Sequence, residues 1–374
     1  MRITVLLERP TQFEAPFFRF ASQDRAHSLR VLYLQAPARQ EVFDPELGQA
    51  VSWGFDLLAG YEHAVLPADA GHAWWAEELA RHRPALLIVN GYTKPAYRQA
   101  ARAARRSGVP AALRIDSVLW DHPWPRRAAK RLLFGLFLSR LFPRFLAVGS
   151  LTVDYLRSFG VPRERIGLFP YAVDHEHFRA ASRVSEAERL ELRRNFGLEQ
   201  ERAVVLCVAK HGPRESPWDV LAALARLPSP RPLLALAGDG PERPALEAHA
   251  REHLPDSRFL GYVPYPELPR LYAASDLFVH AAEEERWGVS VAEALACGLP
   301  VIASSRVGAG YDLIEPGANG YRYERGDAAG LAERIRDALA LDPSAVDRAS
   351  QAILAGWGYE AAWRGILSAA DDQR

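Results

Sequence analysis

Methionine occurs once, at position 1, and cysteine twice, as Cys207 and Cys297. Both cysteines have apolar neighbours, so they read as small core residues rather than a disulfide or a metal pair. No window stays apolar for the ~20 residues that a membrane-spanning helix needs. The opening run Met1–Leu7 meets Glu8-Arg9 at once. That is too soon for a signal-peptide core, and the run reads as a buried first strand. These absences point to a cytoplasmic protein. Neither sign of charge is in excess: 46 Lys and Arg stand against 46 Asp and Glu. A global argument for nucleic acid is thereby missing. Internal repeats and low-complexity linkers are missing too. The single methionine beside abundant Arg, Ala, Leu and Pro is compositional bias.

What is present is a chain of 374 residues, 49% hydrophobic, enough for two α/β domains. Its organising stretch is His280–Pro300. A β-type run, Asp276–His280, leads into a loop holding Glu283, Glu284 and Glu285. A helical pattern then begins after Trp287-Gly288, with Val289, Ala292, Leu295 and Ala296 at helical spacing. Gly298 ends it, and Pro300–Ala303 starts another buried strand. The N–H groups of Gly288, Val289 and Ser290 would stand at a helix N-terminus, where unpaired donors and the dipole attract phosphate. Glu285 lies just before that end and Glu293 about one turn inside it. Donors flanked by two carboxylates suit a sugar nucleotide. An ordinary crossover with a solvated acidic loop gives the same pattern.

The stretch resembles the Glu-x7-Glu motif of retaining GT-B glycosyltransferases of family 4. The resemblance implies that Glu293 binds the nucleotide ribose and that Glu285 contacts the transferred sugar. Other segments follow in the family's order. The strand Ala203–Ala209 runs into Lys210, which matches a cation of the family that neutralises the leaving diphosphate. A second family cation, a lysine, falls on Glu215; the adjacent Arg214 is a good phosphate partner in its place. Gly238-Asp-Gly-Pro241 repeats a family turn, although a glycine turn alone is weak evidence for phosphate binding. Arg258–Val263 resembles the loop whose backbone, at Gly261 and Val263, meets the base. Asn319-Gly320 is a further match. Ile166–Asp174 and Phe178 resemble the family's crossover between domains, which accounts for Asp174, His175 and His177 better than a metal does.

The first half matches less closely. The loop after strand Ile3–Leu7 carries Gln12, Phe13 and Glu14 where many family members have a Gly-Gly pair. Strands Leu29–Leu34, Leu86–Asn90 and Ala111–Ile115 follow. Strand ends are where doubly wound sheets bind ligands. Asn90, Tyr92, Arg114 and Asp116 are therefore acceptor-side or sugar-side candidates. Asp116 stands where the family often has a histidine. It reads equally as a sugar ligand, a helix cap or a partner of arginine. The aromatic segment Phe43–Tyr61 shapes an acceptor pocket through Trp53, Phe55 and Asp56, or is a packed surface loop. Between Asp121 and Asp154 the charges are all positive: Arg126, Arg127, Lys130, Arg131, Arg140 and Arg144, interleaved with Leu and Phe. That pattern fits contact with an anionic membrane through 126–145, or a core-facing helix with a basic edge.

The resemblance implies a GT-B fold with two Rossmann-like domains. The first spans 1–175 with a returning helix at about 357–374; the second, the donor domain, spans 176–356. It implies transfer of a sugar from a nucleotide diphosphate to an acceptor hydroxyl with retention. No cofactor and no metal are expected. The rival is a non-catalytic protein that binds nucleotide or glycan, motivated by Glu215 and the glycine-free first loop.

Overall fold

A computed structural model describes residues 1–36, 41–44, 49–52, 54–67, 69–120, 123–215 and 217–371. Trp53 and Asp121 lie outside the described residues, as do the side chains of 41–44 and 49–52. The chain forms two units. One comprises residues 1–39, 56–172 and 359–374; the other comprises residues 40–55 and 173–358.

The first unit is built on seven strands: β1 (Arg2–Leu7), β2 (Ser28–Tyr33), β5 (Glu62–Val65), β6 (Leu86–Asn90), β7 (Ala111–Ile115), β8 (Arg144–Ala147) and β9 (Ile166–Leu168). The intervening β3 (Glu41–Asp44) and β4 (Gln49–Ser52) pair antiparallel and group with the second unit. The seven run in the order β5-β2-β1-β6-β7-β8-β9, and every pairing is parallel. Parallel sheets are covered on both faces, which is why their strands read as unbroken apolar runs. Ile3, Val5, Leu6, Ile88, Val89 and Leu113 are buried accordingly. Order reverses at β1, between β2 and β6. At such a switch point two successive loops diverge and leave a crevice at the carboxyl ends. The helix Tyr359–Asp371 closes this unit: Tyr359 packs on Phe17, and Trp363 Nε1 donates to Asp24 at 2.8 Å. That bond is the main reason the Asp24 carboxyl falls to about 2.

The second unit holds six parallel strands, β10 (Val204–Val208), β11 (Leu233–Ala237), β12 (Arg258–Gly261), β13 (Leu277–His280), β14 (Val301–Ser304) and β15 (Gly320–Tyr323). Their order is β12-β11-β10-β13-β14-β15, so the switch point lies between β10 and β13. Leu206, Cys207, Leu236, Phe278 and Ile302 fill the core, and Cys207 is free. The charged run 182–196 reads as helix-forming, and the structure has a short helix before it, His175–Ser182, and then Glu186–Asn195 within it. Asp174 caps the first by accepting from the His177 N–H, and Ser185 and Glu188 form a reciprocal capping box on the second.

Candidate functional site

The two loops leaving the switch point of the second unit are residues 209–215, after β10, and 281–288, after β13. They are tied together. The Arg214 carbonyl accepts the N–H groups of Glu283 at 2.8 Å and Glu284 at 3.4 Å, and the Arg214 guanidinium lies 3.7 Å from Glu285. Glu285 is fixed from its other side, because its N–H donates to Arg306 and its carbonyl accepts from Gly308. Lys210, Arg214, Glu215 and Glu285 therefore share one corner. Topology dictates this, since β10 and β13 are neighbours although some 70 residues separate Lys210 from the acidic loop.

Glu215, which stands where the resemblance puts a lysine, turns back on its own loop and accepts the Lys210 N–H at 2.5 Å. Burial pushes its carboxyl up to about 7, against the pull of that bond; Glu285 adds to the rise, while Lys210 and Arg214 oppose it.

The helix after the acidic loop is Val289–Ala296. Its N-cap, Gly288, has φ +100, and a Cβ there would stand 2.9 Å from Val307 and about 3.1 Å from His280. Only glycine brings the loop this close to both. No side chain caps this end; the Val291 N–H donates to the Gly288 carbonyl at 3.1 Å, and a helix end of this kind offers the N–H groups before it to an anion. His280 beside it is buried, and burial holds it down to about 4, so it is neutral at physiological pH. Glu293 lies inside the helix, 5% exposed, and accepts a 3.0 Å hydrogen bond from the Tyr272 hydroxyl. Burial raises Glu293 to about 7.

This shift carries a stability consequence. Folded Glu293 keeps its proton up to about pH 7, against 4.5 for an unperturbed glutamate. Between those values the unfolded chain binds fewer protons than the folded one, so stability falls as pH rises through that window. Glu293→Gln still accepts from Tyr272 and cannot ionise. It is expected to raise stability at pH 8 by on the order of 3 kcal/mol, with little gain near pH 4.5. Thermal unfolding at both pH values checks this; an equal melting temperature at pH 8 would show that ionised Glu293 is well solvated.

Gly261 and Val263 sit at the end of β12, partly exposed, and the Gly261 carbonyl accepts from Gly238 at 2.7 Å. Asn319 is fully buried and holds its own turn, donating to Leu313 and accepting from Glu315. Sequence reasoning missed Tyr272 and His280, the neighbours that set the surroundings of Glu293 and Gly288. His280 was legible only as the last residue of a strand.

In the first unit, Gln12, Phe13 and Glu14 leave β1, and Asn90 and Tyr92 leave β6, so they flank that unit's switch point. Lys94 joins the two loops through Glu8 at 3.0 Å. Arg114 and Glu14 do not present free groups there. Arg114 is 1% exposed; it donates to Glu14 at 2.6 Å and to the carbonyls of Phe169 and Pro170 at 3.1 and 3.0 Å, and its plane lies over the Phe169 and Tyr171 rings. Glu14 is buried and also takes the Thr11 hydroxyl. A buried ion pair in which each guanidinium nitrogen already donates is a positioning device, so these two acceptor-side candidates are better read as structural. Asp116 accepts from the Tyr171 hydroxyl at 3.3 Å, and Phe13 meets the same ring edge-on. Tyr171, which lies within the crossover segment Ile166–Asp174, links Asp116 to this cluster. Phe55, an acceptor-pocket candidate, packs on Tyr265 within the second unit. Among the described residues no group of three or more metal-ligating side chains comes together.

Residues 188–354 match the family model described as glycosyl transferases group 1. Over those residues, somewhat under half of its length, the chain is similar to the group 1 glycosyl transferases. Curated relatives agree. A GDP-mannose-dependent alpha-mannosyltransferase of Mycobacterium tuberculosis is 32% identical over 261 residues, covering 69% of this chain and 62% of the relative. A D-inositol 3-phosphate glycosyltransferase of Mycolicibacterium smegmatis is 30% identical over 193 residues, 50% of this chain and 43% of that protein. The chain thus spans about two fifths to three fifths of these relatives. Among solved structures, Anabaena Alr3699/HepE in complex with UDP superposes with a TM-score of 0.75 at 20% identity over 100% of both chains. A glycosyltransferase from Rickettsia africae gives 0.76 at 14% identity, covering 100% of this chain and 98% of that one. At these identities the likeness is one of fold, and the fold is GT-B, with two Rossmann-like domains.

Proposed function

We propose that this chain acts as a group 1 glycosyl transferase, moving a sugar from a nucleoside diphosphate to an acceptor hydroxyl, with retention at the anomeric carbon and without a metal. The bond from the anomeric carbon to the diphosphate breaks, the bond to the acceptor oxygen forms, and the acceptor proton leaves with the diphosphate or to solvent. One observation supports the reading: the β10 and β13 loops, which carry Lys210, Arg214 and Glu285, are bonded to each other at the switch point, and the second loop leads into the helix end at Gly288–Ser290. Cations and backbone donors aimed at a departing diphosphate stabilise the charge it develops. Glu293 takes the ribose, Glu285 orients the donor sugar, and the backbone at Gly261 and Val263 meets the base; within the first unit, Asp116 is the sugar-side candidate. Gln12, Phe13, Asn90 and Tyr92 belong to the acceptor side. A cytoplasmic location and contact with an anionic membrane through 126–145 belong to the same proposal. No relative reported above supports a non-catalytic role.

The test is calorimetric titration with UDP, GDP and ADP, followed by hydrolysis of the matching sugar donors. One relative is named for GDP-mannose and one neighbour was solved with UDP, which makes those two the leading ligands. Glu285→Gln should lower donor turnover by about 100-fold while nucleotide affinity changes little. Failure of all three nucleotides to bind would overturn the donor site, and an unimpaired Glu285→Gln would remove Glu285 from the sugar.

A further inference from the structure

The helix Trp124–Leu132 of the first unit has no buried residue. A nine-residue helix lacks the length to be stable on propensity alone; helices of this size normally bury an apolar face. Here that face is turned outward. Trp124 is 78% exposed and Leu132 62%, and in the π-helical continuation Leu133–Leu138 the side chains of Leu136 and Phe137 are 46% and 67% exposed. Seven large hydrophobic residues are conspicuously exposed among the described residues, and four of them fall within these fourteen positions. The segment is nonetheless anchored. Phe134 is buried against the rings of Tyr92, Phe145, Tyr155 and Phe159, Leu138 is buried, and Lys130 donates to the Tyr155 hydroxyl at 2.6 Å.

Around the apolar residues stand Arg126, Arg127, Arg131 and Arg140, all exposed, and no acidic residue occurs between Asp121 and Asp154. The chain as a whole is balanced in charge, so this positive field is local. Of the six basic residues read from the sequence, Lys130 is held by Tyr155, and Arg144 donates to the Glu164 carbonyl. The four exposed arginines share residues 124–140 with the four exposed apolar side chains, so the segment offers a basic rim and an apolar centre together. A second copy of the chain would oppose arginine to arginine across such a patch. An anionic bilayer offers both complements, phosphate for the rim and hydrocarbon for the centre.

We propose that residues 124–140 form a bilayer-docking face in which Trp124, Leu132, Leu136 and Phe137 enter the boundary between headgroups and acyl chains, while Arg126, Arg127, Arg131 and Arg140 meet anionic headgroups. This sharpens the membrane part of the proposed function and rests on it, but not on the donor chemistry. Charge brings the protein to the surface; apolar insertion holds it there. No helix among the described residues is long and apolar enough to cross a membrane, so the contact is a lateral one.

The purified full chain is floated with vesicles of phosphatidylcholine, with and without phosphatidylglycerol, at low and high salt. The chain should float with the anionic vesicles, less so at high salt. Trp124→Ser combined with Phe137→Ser should lower vesicle affinity about tenfold or more at either salt. Arg126→Gln with Arg127→Gln and Arg131→Gln should lower it mainly at low salt. Nucleotide binding and donor hydrolysis in solution should be the same in all three proteins, which separates loss of docking from failure of the donor site. Leu132→Ser with Leu136→Ser serves as a second apolar variant should the first fold poorly. Absence of flotation with anionic vesicles, or equal flotation of the apolar variants, would overturn the proposal. So would a concentration-dependent dimer in sedimentation velocity that the apolar variants abolish, because it would assign the face to a second copy.

Discussion

Lys210→Ala is expected to lower donor turnover by about two to three orders of magnitude, while the second unit keeps its fold. The lysine stands at the carboxyl end of β10, at the switch point, and its own N–H is already used by Glu215. That backbone contact survives the substitution; only the ammonium is lost. Its proposed work is to offset the charge that builds on the departing diphosphate, a charge that is smaller in the bound donor than in the transition state. Turnover should therefore suffer more than nucleotide affinity. Arg214 is not a replacement on equal terms, because Glu285 already engages its guanidinium at 3.7 Å. Steady-state donor hydrolysis beside calorimetric nucleotide binding measures both quantities. Equal turnover in the variant would remove Lys210 from the reaction, and equal loss of both would make it a simple binding group.

Gly238→Val is expected to abolish folding of the second unit, a loss above about 5 kcal/mol. Gly238 has φ +127, and a Cβ there would stand 1.8 Å from the Ala209 carbonyl oxygen. The crowding follows from how the loops after β10 and β11 interlock. Ala209 donates to Ala237, His211 to Asp239, and Gly238 to Gly261, each at 3.0 Å or less. Backbone cannot retreat here without breaking those bonds. Gly326 is the control: its φ is +79 and nothing lies within 4 Å of a Cβ. Gly326→Ala should cost only the left-handed backbone penalty, about 1–2 kcal/mol. Soluble yield and denaturant unfolding of the two variants compare them directly. A soluble, cooperatively unfolding Gly238→Val would mean that the loops can separate without loss of the sheet.

The central strands were legible because parallel sheets bury both faces and leave unbroken apolar runs, as in Leu86–Asn90 and Leu233–Ala237. Edge strands lack that signal. β5 reads Glu-His-Ala-Val and is mostly exposed, and β9 and β15 are short, so periodicity does not announce them. The charged run 182–196 was legible as helical, and the Ser185 cap with its partner Glu188 sets where its helix starts. In the site, the stretch from Glu285 to Glu293 was readable because loop, cap and helix are local in sequence. Its surroundings were not. Tyr272 reaches Glu293 across 21 residues, and Tyr171 reaches Asp116 across 55. Arg114 and Glu14, each attractive as a polar group at a strand end, satisfy one another across 100 residues. Residue type at a strand end shows that a group can bind a ligand, and only the fold shows whether it is already spoken for.

The helix Tyr359–Asp371 belongs to the unit that begins the chain. Trp363 bonds Asp24 across 339 residues, and Gly365 approaches the Leu168 carbonyl so closely that a Cβ would lie 2.0 Å from it. On the ribosome, then, the seven-stranded sheet is laid down first and waits for its last cover until residue 371 has been made. The six-stranded sheet lies between and needs nothing after residue 358. A chain released after residue 358 would hold every residue of the second unit and a first unit with its helix seat empty. Synthesis finishes the two halves in the reverse of the order in which it starts them.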